Sequence, residues 1–264
     1  MIIRHDLKLI FLHVPKCAGT AIRKVFREGS SDPGDIQEFW NYGFNDVLHR
    51  YVDRAHLPLS DFRNYPEFEL LDDYTVVACT RHPCVRLRSA VKEYYRQKSA
   101  RHEAKVKQGR LTSDMKRRYY QQLDRRHAEL DPRFIHSLPM HRFTHYGQEP
   151  KVDHLLRCES LLSDFELLAQ TLRLPEAMLH KAATSLHRHD GDAATHPPDQ
   201  LEVELSERLY ALDFNTFGYG HVAPPTSEPV VDAGQARLIH RSAQVQWHWG
   251  PSASQSNPAL APTR

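Results

Sequence analysis

Leu7-Lys8-Leu9-Ile10-Phe11-Leu12-His13-Val14-Pro15-Lys16-Cys17-Ala18-Gly19-Thr20-Ala21-Ile22 decides how this chain folds. Leu9–Val14 is a short apolar run, long enough for a buried strand and too short for a helix. Pro15 lacks the N–H that a central ladder needs, so it closes the strand. Gly19 tolerates an unusual backbone angle or the close approach of a ligand. Thr20 is a suitable N-cap for a helix that carries Ile22, Val25 and Phe26. A helix starting on such a turn presents unpaired N–H groups and the positive end of its dipole, which is a site for an anion, usually a phosphate. Lys16 adds a mobile cation at the rim. The order is not that of the G-x-x-x-x-G-K-[ST] loop, because Lys16 precedes Gly19 and no glycine stands before it. A plain strand–turn–helix with a surface lysine is the alternative reading of the same residues.

Working outward, Tyr74–Thr80 is a second buried strand that runs into Arg81-His82-Pro83 and a helix. Arg81 stands at that strand's carboxyl end and Ser89 two turns into the helix. A parallel sheet brings the ends of both strands to one edge. A guanidinium and a hydroxyl so placed can hold a phosphate separate from the one at Lys16–Thr20. Val152–Glu159 reads as a third strand, followed by a helix with Leu161, Phe165, Leu168 and Leu172 at helical spacing. Tyr51–His56 reads as a short strand beside the first, with His56 at the mouth where open α/β sheets bind ligands. Gly29–Asn45 reads as irregular, with Phe39, Trp40, Tyr42 and Phe44 as local core and a pocket lining as the alternative. Lys92–Arg133 is helical and basic, with 13 Lys/Arg against 6 Asp/Glu, and breaks near Gly109–Thr112. It reads as a solvated helical hairpin, or functionally as a charged lid over an acidic ligand. Ser206–Phe214 is a last short helix. After Gly220 the composition turns rich in Pro, Ser, Ala and Gln, so residues 221–264 read as a disordered or loosely docked tail with Trp247 and Trp249 as its docking residues.

Four segments together resemble sulfotransferases that use 3′-phosphoadenosine-5′-phosphosulfate (PAPS), the Golgi carbohydrate sulfotransferases and their bacterial relatives. F-L-H-V-P-K-C-A-G-T is similar to the family's 5′-phosphosulfate loop and T-R-H-P-C-V-R-L-R-S to its 3′-phosphate motif. V-D-H-L-L-R-C-E-S-L-L-S-D-F and L-D-F-N-T-F-G-Y resemble a later strand–helix unit and the end of the domain. The resemblance runs from about residue 8 to 220. It implies an α/β, P-loop-like three-layer sandwich with a central, mostly parallel sheet, a basic helical insertion and an irregular tail, the sulfotransferase domain being residues 1–220. It implies PAPS as donor, with Pro15, Lys16, Cys17, Ala18, Gly19, Thr20 and Ala21 around the 5′-phosphate and Arg81 and Ser89 on the 3′-phosphate. Lys16 is then the catalytic cation on the bridging oxygen. H-L-P-L-S-D-F resembles the segment that carries the catalytic histidine of uronyl 2-O-type enzymes, which makes His56 the base, with an ordinary pKa of ~6.5 suited to the task. Glu159 and His13 are reserves: Glu159 is expected to pair with an arginine, and His13 to lie inside a buried strand. His82 is expected to shape the nucleotide site, and His187 and Arg188 to reach the 3′-phosphate or the adenine. Cys17 and Ala18 depart from the threonine and glycine common in the family, and Cys17 is expected to be a passive filler.

Composition sets outer bounds. The 264 residues are 40% hydrophobic and 26% charged, as in soluble globular proteins. A net charge of +2 selects no partner. No nucleic acid is expected, because no binding module is present and acids dilute the basic residues. The 18 histidines are scattered without H-E-x-x-H or C-x-x-C spacing, so no metal is expected. Four distant cysteines fit a reducing compartment. The absence of an apolar run near ~20 residues and of room for a signal peptide before the first strand predicts a cytoplasmic protein without a membrane span. A hydroxyl-bearing acceptor is expected, an oligosaccharide or glycolipid ahead of a tyrosyl peptide or small metabolite. Two rivals remain: a P-loop-like nucleotide kinase, which would need acidic magnesium ligands, and a non-catalytic polyanion-binding protein of the same fold.

Overall fold

The computed structural model describes residues 1–124, 132–186 and 198–220. The expected tail at 221–264, and His187 and Arg188, lie outside them. The chain is a mixed α/β unit around a five-stranded sheet in the order β3-β1-β2-β6-β9. A strand ahead of the predicted first one, β1 (Ile2–Arg4), turns back into β2 (Leu9–Leu12), with Ile3 opposite Ile10. After α1 (Gly19–Phe26), β3 (Ile36–Glu38) adds antiparallel to β1. The stretch expected to be irregular therefore contributes an edge strand. β6 (Thr75–Thr80) runs parallel to β2, and β9 (His154–Arg157) parallel to β6. Four strands thus point one way and β1 alone points back. Every residue of β1 and β2 is buried, and all but the first of β6, the pattern of strands covered on both faces.

The expected strand ending at His56 is corrected. β4 (Tyr42–Asn45) and β5 (Arg50–Asp53) form a separate hairpin that does not join the sheet, and the chain leaves it through a 3₁₀ turn, Arg54–His56. Of the four aromatics read as local core, Phe39 alone is buried; Trp40, Tyr42 and Phe44 are exposed. Tyr42, Phe44 and Tyr51 alternate with Gly43, Asn45 and Val52, so one hairpin face packs inward while the other keeps its rings in solvent.

Short helices α2 (Leu59–Phe62) and α3 (Leu70–Asp73) lead into β6. The basic region is α4 (Pro83–Lys98), α5 (Ala100–Lys107) and α6 (Ser113–Asp124). It is more than a solvated hairpin. Tyr94, Tyr95, Tyr119 and Tyr120 are buried between its helices, with Phe134 stacked on Tyr119. Each such ring contributes about 1.5–3 kcal/mol by burial. A 3₁₀ turn, Pro132–Ser137, and α7 (His141–Thr144) follow, then a small hairpin of β7 (His145–Tyr146) and β8 (Glu149–Pro150) before β9. α8 (Leu161–Leu172) and α9 (Glu176–Ser185) pack near α1, with Phe165 against Phe26. The predicted helix over Ser206–Phe214 is two helices, α10 (Gln200–Leu209) and α11 (Ala211–Phe217). Glu202 on α10 is fully buried and pairs with Arg88 of α4 and Lys116 of α6, tying the basic helices to the body. Among the described residues no helix is long and apolar enough to cross a membrane.

Candidate active site

The carboxyl ends of β2, β6 and β9 share one edge, and the turn after β2 differs in kind from an ordinary strand–helix turn. Lys16 (φ 65°) and Ala18 (φ 57°) both take left-handed backbone angles, which side chains adopt at a cost. Successive N–H groups in such a turn point to a common concavity that suits an anion. Ala18, not Thr20, is the N-cap of α1, and it offers no side-chain cap; Thr20 is exposed on the first turn. The Cys17 N–H faces the Val14 carbonyl at 3.4 Å and the Ala21 N–H donates to the Ala18 carbonyl. The first-turn N–H groups of Gly19 and Thr20 have no acceptor within the helix. Gly19 serves close approach rather than an unusual angle: a Cβ there would lie 1.8 Å from Cδ2 of the His13 ring. Cys17 turns into the core toward Met140, and burial pushes its thiol pKa well up, as befits a filler.

Lys16 projects toward α4, where its Nζ donates to Glu93 Oε2 at 2.9 Å. Burial opposes the Glu93 charge, yet the facing Lys16 ammonium and the hydrogen bonds from Arg96 and Lys16 hold its carboxyl well below the usual glutamate value. Arg81 lies over the same turn, its Nη1 3.5 Å from the Lys16 carbonyl. Ser89 is half-buried on α4, one turn before Glu93 on the same helix face. The structure thus brings Lys16 and Arg81 to one sheet edge and adds Glu93, with Ser89 one turn earlier on α4. The sequence signal for Glu93 is that it is the only acid between Arg81 and Glu103.

His56 reaches this edge from the hairpin. Its Nδ1 donates to the His13 carbonyl at 3.2 Å. A carbonyl can only accept, so Nδ1 carries the hydrogen and Nε2 the lone pair. Asp53 Oδ2 stands 3.9 Å from that Nε2. Burial pulls the His56 pKa down to about 3, far from the ordinary value expected of it. His13 stands just past the end of β2 rather than inside it, stacked on Trp40 (ring centroids 5.9 Å) and tilted against His56 (4.1 Å), and the Arg23 guanidinium lies over the Trp40 ring. His136, from the 3₁₀ turn Pro132–Ser137, packs edge-on against His56 with centroids 5.2 Å apart. Asp53 lies three residues before His56, a local spacing that the sequence offered, whereas His136 carried no sequence signal because it comes from a distant element.

Other expectations resolve differently. Among the described residues Glu159 forms no ion pair with an arginine: its Oε1 accepts from the His82 N–H at 2.7 Å and its Oε2 from the Tyr219 hydroxyl at 3.2 Å. His82 is buried between Phe214 and Tyr219, facing inward. Asp213, in the last quoted segment, is buried and accepts from the N–H groups of Met140 and His141, closing the domain.

The model of the sulfotransferase family matches residues 1–220, and the chain belongs to that family. No curated protein and no solved structure matches it.

Proposed function

Starting from that family membership, we propose that the chain moves a sulfuryl group from PAPS to a hydroxyl of an oligosaccharide or glycolipid. The observation that carries this reading is the uncapped, left-handed turn at Lys16–Ala18 lying directly under the Arg81 guanidinium. A P-loop-like role follows. The main-chain N–H groups of Ala18, Gly19 and Thr20, with the Thr20 hydroxyl, take the 5′-phosphate, while Pro15, Cys17 and Ala21 shape the turn. Arg81 and Ser89 take the 3′-phosphate. The residues fit such a donor: two cations and a helix start converge where two anionic groups must sit.

Bound PAPS supplies a sulfuryl group on a good leaving group, and the protein's part is positioning and charge stabilisation. His56 Nε2 takes the proton of the attacking hydroxyl, its tautomer fixed by the His13 carbonyl. The Asp53 carboxylate faces the imidazolium so formed, and the anionic donor raises the basicity that burial lowers. Lys16 moves from Glu93 to the bridging oxygen as the sulfur–oxygen bond breaks. Glu93, bound to Lys16, Arg96 and Gln97, is an anchor and not a base. The exposed rings of Tyr42, Phe44 and Tyr51 share the hairpin face of Asp53 and support a sugar acceptor, whose ring faces stack on aromatics. The sulfotransferase domain is residues 1–220.

Thermal-shift titration tests this. Adenosine 3′,5′-bisphosphate should raise Tm in magnesium-free buffer, and radiolabelled sulfate should pass from PAPS to a glycan panel. Stabilisation by ATP with magnesium alone would assign the site to a kinase instead.

A further inference from the structure

Asp53, His56 and His136 each offer one ligand atom, and the three atoms lie within 4.8 Å of one another. Asp53 ends β5, His56 lies three residues on in the 3₁₀ turn that follows, and His136 comes from another 3₁₀ turn about 80 residues later, which is why no short motif joins all three. Their hydrogen bonds decide what each atom can do. The His136 Nδ1 faces the Arg133 carbonyl at 3.3 Å, as the His56 Nδ1 faces the His13 carbonyl at 3.2 Å. Both rings therefore keep the hydrogen on Nδ1 and the lone pair on Nε2. Asp53 Oδ1 accepts from the Ala55 N–H at 3.0 Å, which leaves Oδ2 facing His56 Nε2 at 3.9 Å. The cluster is three acceptors aimed at one another. Backbone carbonyls on the far nitrogens are the outer partners that metal-binding histidines require.

We propose that Asp53, His56 and His136 form a site for a zinc-class divalent cation. Two imidazoles and a carboxylate suit zinc, and cobalt in its place, better than magnesium or calcium. Metal–ligand bonds of about 2.0–2.1 Å set tetrahedral ligand atoms about 3.3 Å apart. The His56–Asp53 separation of 3.9 Å exceeds this, and the cluster spans up to 4.8 Å, so the three side chains must draw together by rotation to close on an ion. His136 is buried and His56 and Asp53 are half-buried, and the remaining coordination positions are for water or an acceptor oxygen. The ion and the acceptor's proton compete for one lone pair, the His56 Nε2. Zinc is thus an inhibitor of transfer, a consequence that rests on the reading of His56 as base; binding of the ion does not.

The test starts from full-length protein stripped with a chelator and titrated with Co²⁺ under visible absorption, with Zn²⁺ as displacer. One equivalent should develop the intense bands of four- or five-coordinate cobalt and lose them to zinc. Asp53→Asn and His136→Gln, each checked for native circular dichroism, should lower the affinity by roughly a hundredfold. The spectrum of aqueous cobalt throughout, or bands that persist unchanged in both folded variants, overturns the site. Zinc should also suppress sulfuryl transfer in proportion to occupancy; full occupancy with undiminished transfer overturns the competition for His56. Binding of adenosine 3′,5′-bisphosphate is followed separately. Its failure would unseat the sulfotransferase reading of the pocket while the cobalt spectrum still judges the ion.

Discussion

The turns after β2, β6 and β9 are built alike, each leading a parallel strand into a helix, yet two are closed and one is open. After β6, the Glu159 carboxylate takes the His82 N–H at 2.7 Å, and Pro83 opens α4 without an N–H to satisfy. After β9, the Arg157 N–H goes to Asp164 in the first turn of α8, also at 2.7 Å. After β2, no acid stands in the first turn of α1, and Ala18 caps nothing. None of the three N-caps, Ala18, His82 or Ser160, caps its helix with its own side chain, but among the described residues a carboxylate takes a main-chain N–H of the connection after β6 and after β9 and not after β2. The connections after β6 and β9 supply side chains, Arg81 above all, around a main chain already bound by carboxylates of the protein itself.

The sharpest way to break this contrast is at the open turn. Lys16→Ala should cut sulfuryl transfer on the order of 10²–10³-fold, the usual effect of deleting one donor to developing charge, while circular dichroism stays unchanged. A variant that turns over normally would remove Lys16 from the chemistry. Gly19→Ala asks whether the turn tolerates a side chain. Its Cβ would collide with His13, whose ring itself packs on Trp40 and His56. A loss of about 1–3 kcal/mol is expected in denaturant unfolding, with weakened nucleotide binding. Glu159→Ala uncaps a closed turn instead. It should cost about 1–3 kcal/mol for the stranded His82 N–H, lowering Tm by a few degrees, with catalytic turnover per folded molecule retained.

The smallest effect concerns the anchor of Lys16. The folded carboxyl of Glu93 titrates below its unfolded value. Its contribution to stability is therefore present above the unfolded glutamate pKa and fades as pH falls through the folded one. Melting curves of wild type and Glu93→Gln should differ at neutral pH and converge in acid; a gap that widens in acid would reverse the sign.

Much of this was readable in advance where residues act locally. Leu9–Thr20 and Thr75–Ser89 carry their strand, breaker and helix signals in order, so the two turns and their meeting at one edge could be placed from the sequence. β3 was not legible, because three half-buried residues at an edge carry no usable periodicity. The hairpin β4–β5 was misplaced because alternation identifies a strand but not the sheet it joins. His56 reached the predicted edge by another route, over a 3₁₀ turn. Glu93 and His136 owe their place to tertiary packing, in which Arg86 of α4 donates to the carbonyls of His136 and Leu138 and draws that turn against the site.

In the proposed function the open turn and the adjacent Arg81 hold the two phosphate groups of one adenosine nucleotide. Calorimetric titration in metal-free buffer, comparing adenosine 3′,5′-bisphosphate with adenosine 5′-monophosphate, addresses it most directly. The bisphosphate should bind at least about tenfold more tightly in wild type, by the strength of one charged hydrogen-bond pair, and Arg81→Ala should erase that preference. Equal affinity for the two nucleotides in wild type, or a preference that survives in Arg81→Ala, would contradict it.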